Sequence, residues 1–145
     1  MTATVDRSHQ TPQMTLSPLH AVLLAGTIPL FLGALLSDIA YFQTYQIQWV
    51  NFSSWLVAGG LVFTALALLC GISGLFRAEG HSGRSKLYVV LLLLTWVLGF
   101  INSLVHARDA WATMPSGLIL SVIVALLASI ATAVRFSARR TGGAL

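Results

Sequence analysis

Charge is what this chain has least of. Of its 145 residues only 8 are Lys or Arg and 4 are Asp or Glu, 8% in all against roughly a quarter of an ordinary soluble domain. So few ionised side chains cannot cover a soluble fold of this size, and much of the exterior must face lipid. A single cysteine, Cys70, excludes a disulfide framework and a metal knuckle. It sits in an apolar run and reads as a small buried hydrophobe. Also absent are a phosphate loop, a nucleophile elbow, a CxxC pair and clustered carboxylates, so an enzyme with its own active site is not expected. The formal charge is +4, yet the basic residues sit at the ends of apolar runs and do not alternate with aromatics. That pattern excludes nucleic acid as a partner and points to anionic headgroups.

What is present is apolar sequence, 57% of the chain with a mean hydropathy of +0.84. Crossing a hydrocarbon core of ~30 Å takes ~20 apolar residues as a helix, and four stretches meet that need, at about 19–42, 54–76, 87–106 and 115–135. The period-two alternation of a β-barrel is missing. The expected fold class is all-α: a four-helix transmembrane bundle spanning residues 18–136. Residues 1–17 are polar and are expected to form a disordered cytoplasmic tail, and 137–145 a basic cytoplasmic tail. The first span is too long for a signal-peptide core and is expected to be retained.

Lys and Arg set the orientation. Arg7 precedes the first span, Arg77, Arg84 and Lys86 lie in the second loop, and Arg135, Arg139 and Arg140 close the chain. Only Arg108 stands on the opposite side. Both termini and the second loop are therefore expected in the cytoplasm. Tyr41, Tyr45, Trp49, Trp55 and Trp111 gather around the first and third loops as an interfacial belt on the outer face. The uncharged stretch from Gln43 to Asn51 is expected to lie in the headgroup layer.

Helices in lipid associate by close packing, which small residues permit. The fourth span repeats them every four positions at Gly117, Ser121, Ala125, Ser129 and Ala133, and the first at Ala21, Ala25, Gly33 and Ser37. Both stripes are expected to be packing seams, within one chain or between copies. Pro29 removes a backbone donor and is expected to kink the first helix.

Ionisable groups at membrane depth are costly unless paired or used. His20 stands at the cytoplasmic entrance of the first helix, as a haem or quinone ligand or as a headgroup-level histidine. Asp38, Asn102, His106 and Arg108 form an outer-face polar cluster, because the first and third helices both run outward and end there. An Asp–His or Asp–Arg pair in that layer would relay protons, orient an imidazole or clamp helices. His20 and His106 cannot share one haem, since 18 residues separate His20 from the Asp38 layer, about 27 Å of helix. The first and third spans also align at an offset of 68 residues, Leu19 with Leu87, Leu23 with Leu91 and Thr27 with Thr95, through chance or a two-helix duplication. No metal-ligand spacing is found.

Pro18-Leu19-His20, Pro29 and Ser37-Asp38-Ile39-Ala40-Tyr41, with Ala58-Gly59-Gly60, Gly71-Ile72-Ser73-Gly74, Asn102 and Gly117 to Ser121, resemble the bacterial membrane family DUF2231. The resemblance covers about residues 17–135. It implies a four-span bundle in the bacterial cytoplasmic (inner) membrane. Members occur beside redox modules such as Rieske-type iron–sulfur domains, which implies electron transfer or haem b. This chain departs from the pattern at Lys86-Leu87-Tyr88, where many members carry a histidine, and at Ser73-Gly74-Leu75, where many have an acid.

Three functions follow. The leading one is a non-catalytic helical subunit or accessory module, of a redox or respiratory assembly, whose partners are the lipid bilayer and a second copy or other membrane subunits. The second is a b-type haem or quinone-binding electron carrier using His20. The third is a small oligomeric channel or transporter with Asp38 and His106 at its outer entrance.

Overall fold

The computed structural model describes residues 18–76 and 83–140, with side chains through 137. It is all-α: among the described residues there is no strand. Helix α1 runs Pro18–Thr44, α2 Ile47–Leu75, α3 Gly83–His106 and α5 Ser116–Arg140, with a single turn, α4, at Ala110–Thr113. The four long helices contain candidate spans of 22 to 29 residues, about 33–44 Å at ~1.5 Å per residue. Each is long and apolar enough to cross a membrane. The tail 1–17, most of the second loop and the last residues of the C-terminal tail lie outside the described residues.

Why these residues pack as they do follows from one repeat. The buried positions include His20, Leu24, Thr27, Phe31, Ala34, Asp38 and Tyr41 on α1, flanked by Leu23 and Ser37, and Val50, Ser53, Val57, Gly60, Thr64 and Ala67 on α2. On α3 they include Tyr88, Leu92, Thr95, Gly99, Asn102 and His106, with Val105 beside the last. On α5 Gly117, Ser121, Val124, Ala128 and Ala131 continue the set. Steps of four and three alternate throughout. That is the 3.5-residue period of a left-handed bundle, in which every such position faces the partner helices. Each of α1 and α3 packs against both α2 and α5, so the chain closes a square of antiparallel neighbours with α1 and α3 across a diagonal.

The bundle is turned outside in. Large apolar side chains cover its exterior, with Leu36, Trp55, Leu104 and Leu126 all more than half exposed, as lipid requires. The interior carries buried Thr27, Thr64, Thr95 and Thr132. Each of these hydroxyls donates to a carbonyl three or four residues earlier on its own helix, at 2.7–2.8 Å, so none of the four is left unmet at depth. Between the polar layers, one apolar cluster joins Leu24, Ala67, Tyr88, Leu92 and Ala131, and a second joins Phe31, Val124, Ala125 and Ala128. Gly60 admits Phe31: a Cβ there would lie 2.6–2.9 Å from three of its ring carbons.

One expected boundary is corrected, and Pro29 and the small-residue stripes take defined places in the chain's own bundle. The second helix begins at Ile47 rather than near residue 54, because an uncharged stretch can stay helical through the headgroup layer and only Tyr45 and Gln46 interrupt it. Tyr45 makes the turn in the left-handed region, at φ 55, with its N–H on the Tyr41 carbonyl at 2.7 Å, the arrangement that ends helices in a single αL residue. Its ring stacks on Trp111 at 5.9 Å. Pro29 lies on the exposed side of an uninterrupted α1. Finally, the small-residue stripe of the fourth span leaves the interior. Gly117, Ser121 and Ala125 are buried, Ser129 is half-buried and Ala133 is exposed. A period of four slips about 40° per step around an α-helix, so the stripe turns toward lipid while the 3.5-residue repeat stays inside. On α1, Ser37 is buried, Ala21 and Gly33 are half-buried and Ala25 is exposed.

Candidate functional site

Two polar clusters occupy opposite ends of this interior. The larger lies near the α1–α2 turn and draws on all four long helices. Asp38 and Asn102 are fully buried and His106 is 7% exposed. The His106 Nε2 is 2.8 Å from Asp38 Oδ1, and its Nδ1 is 2.9 Å from the Asn102 backbone carbonyl. A carbonyl only accepts, so Nδ1 carries a hydrogen. The Ser121 hydroxyl donates to Asp38 Oδ2 and accepts from Asn102 Nδ2 at 2.9 Å. The chain of bonds thus closes on itself: Asn102 to Ser121 to Asp38 to His106 and back to the Asn102 carbonyl. Ser53 adds α2, with its hydroxyl 3.2 Å from the Ala34 carbonyl and 3.1 Å from His106 Nε2.

Proton counting defines the chemistry of this ring. With Nδ1 protonated, the 2.8 Å Nε2–Oδ1 bond holds one further proton, and wherever it sits the pair has no net charge. That neutrality makes the pair tolerable at membrane depth, where a lone ion is expensive. Ser53 donates to Ala34 and so turns a lone pair toward Nε2, while Ser121 donates to Oδ2. The Asn102 Oδ1 is buried with no partner. Gly117 gives the ring room, since a Cβ there would lie 3.0 Å from His106 Cε1 and 2.9 Å from Thr113 Cγ2.

The second cluster is at the chain-terminal end. His20 Nε2 is 2.7 Å from the Tyr88 hydroxyl, and both residues are buried. The Arg135 Cζ lies 5.6 Å from the centroid of the Tyr88 ring, within cation–π range.

Of the residues singled out in the sequence, Asp38, Asn102 and His106 are brought together, and Ser121 joins them as a hydrogen-bonding group as well as a small packing residue. Arg108 is exposed and outside the ring. Ala125 packs with Phe31, Val124 and Ala128 inside the chain's own bundle, and Ser129 bonds the Ala125 carbonyl at 2.8 Å. Ser53, Tyr88 and Arg135 were not among the candidates. The 3.5-residue repeat would have found Ser53 and Tyr88, and the offset of 68 pairs His20 with Tyr88 and Asp38 with His106.

A family model described as a predicted membrane protein (DUF2231) matches residues 16–135. The chain belongs to the DUF2231 family. No curated protein and no solved structure matches it. For this DUF2231 protein the haem implied by the resemblance fits the residues poorly. A ligand at His20 needs a free ring nitrogen facing the interior, and Nε2 already bonds Tyr88. Among the described residues the only other histidine is His106, engaged in the ring at the far end.

Proposed function

We propose that this membrane protein is a non-catalytic helical module, a subunit or accessory of a larger membrane assembly in the bacterial cytoplasmic membrane, with both termini in the cytoplasm. The observation that carries the reading is the closed ring of Asp38, His106, Asn102 and Ser121. Apart from the Asn102 Oδ1, its hydrogen-bonding groups are spent on one another across α1, α3 and α5, with Ser53 of α2 in contact. A relay or transport site needs a group that faces a pathway; this one faces its own partners. The ring therefore reads as an internal clamp, which leaves the apolar exterior for lipid and for neighbouring subunits.

Two measurements on the full chain test this. In native discs excised from its host membrane with a polymer, cross-linking should join it to a second copy or to another membrane polypeptide. Its reduced-minus-oxidised visible spectrum in detergent should be flat. Haem bands that disappear in His20→Ala would overturn the reading in favour of an electron carrier, and a strictly monomeric chain without cross-links would remove the assembly role.

A further inference from the structure

We propose that Arg135, backed by Tyr88 and His20, binds the phosphate of an anionic phospholipid headgroup. Arg135 sits in the last turns of α5, with its guanidinium over the Tyr88 ring. Its Nε–H is buried and has no acceptor in the bundle. A buried charged donor without an acceptor is costly, and an anion held by the exposed part of this half-buried side chain offsets that cost by countering its charge. No carboxylate of the described helices can supply it. The two acids among the described residues are Asp38, whose oxygens bond His106 and Ser121, and Asp109, and both lie at the opposite end.

Depth selects the anion. Arg135 stands 19 residues beyond Ser116, about 28 Å along α5, on a level with His20 and the start of α3. That level is where the phosphates of one leaflet meet a helix of this length. The guanidinium presents paired N–H donors in a plane, which matches two oxygens of a phosphodiester. Tyr88 fixes that plane because its own hydroxyl is held by His20 at 2.7 Å, so little side-chain freedom is lost on binding. Lys86 and Arg84 share this end. Their charge favours a net-negative headgroup over a zwitterionic one, whose choline would meet like charge.

The test uses the full chain in detergent. Native mass spectrometry would count retained phosphatidylglycerol against phosphatidylcholine, and thermal unfolding would be followed during titration with each lipid. Wild type is expected to prefer phosphatidylglycerol by about fivefold or more, the order of one basic contact. Arg135→Gln should erase that preference. Arg135→Lys, which keeps the charge and loses the planar fork, should retain part of it and guards against a variant that fails to fold. Lys86→Gln, which removes one of the charges sharing this end, should lower the phosphatidylglycerol preference and still leave it above that of Arg135→Gln. Equal phosphatidylglycerol binding by Arg135→Gln would overturn the site. Inorganic phosphate that stabilises the protein in phosphatidylcholine discs as well as phosphatidylglycerol does would overturn the lipid as its ligand.

Discussion

Removing the carboxylate of Asp38 should cost more than removing the whole pair. Asp38→Leu deletes the bonds from His106 Nε2 and Ser121. Hydrogen bonds to charged groups contribute about 1.5–3 kcal/mol in water-soluble proteins, but side-chain bonds in membrane bundles average ~0.6 and reach ~1.7 kcal/mol. Two bonds at the upper membrane value, with Ser121 left short of an acceptor, give a loss of about 2–4 kcal/mol. The imidazole can shed its proton instead of remaining a lone cation, which limits the damage. His106→Leu should be worse, about 3–5 kcal/mol, because the carboxylate then keeps only Ser121 in a fully buried site. In the double variant no charge remains, and apolar replacement of a buried pair is often near neutral. It should lose less than either single change. The assay is equilibrium unfolding in mixed micelles, read by the fluorescence of the four tryptophans. Single losses that sum to the double within ~0.5 kcal/mol would mean the two residues are energetically independent, and the ring would not be a unit.

Other substitutions probe the packing and the second cluster. Gly60→Ala puts a methyl 2.6 Å from a Phe31 ring carbon and should cost about 1–3 kcal/mol in the same assay. Gly74→Ala, with nothing within 4 Å, should be neutral or gain up to ~1 kcal/mol from helix propensity. Gly117→Ala should push on the His106 imidazole, destabilising by about 1–2 kcal/mol, and should shrink the Asp38–His106 coupling measured above. Tyr88→Phe removes the hydroxyl from His20 while keeping the ring under Arg135; a loss of about 1 kcal/mol is expected, with the phosphatidylglycerol preference reduced but not erased.

The helices were legible because hydropathy along a span is a sum over ~20 residues, and single exceptions do not erase it. The inward face was harder to read. In a soluble bundle an apolar stripe marks the core, but here Leu36 and Leu126 face outward while Thr27, Thr64 and Thr95 face inward. The eye therefore goes to small residues spaced by four, and the Gly117 to Ala133 stripe follows a line that a helix does not keep on one side. Asp38 and His106 could be assigned to one layer because both end helices running the same way. That they touch depends on the 3.5-residue phase, visible once His20, Asp38, Tyr88 and His106 are placed 68 residues apart in two pairs. Tyr88 and Arg135 looked like unremarkable span-end residues because each takes its meaning from the other.

The ring also sets a timetable for the chain's birth. Thr27, Thr64, Thr95 and Thr132 are satisfied by their own helices, so each span can enter the bilayer with those hydroxyls already bonded. Asp38 cannot. Its first partner, His106, is 68 residues further on and its second, Ser121, is 83. At ~5–20 residues per second of synthesis, the first span waits some ~4–17 s for its last partner. Through that interval it carries an unpaired carboxyl group near the outer end of the span, at a cost below the roughly 2.5–3.5 kcal/mol of the same group at the middle of a membrane helix. A ribosome stalled before Ser121 should leave the first span the least firmly held of those already made, and Asp38→Leu should relieve it.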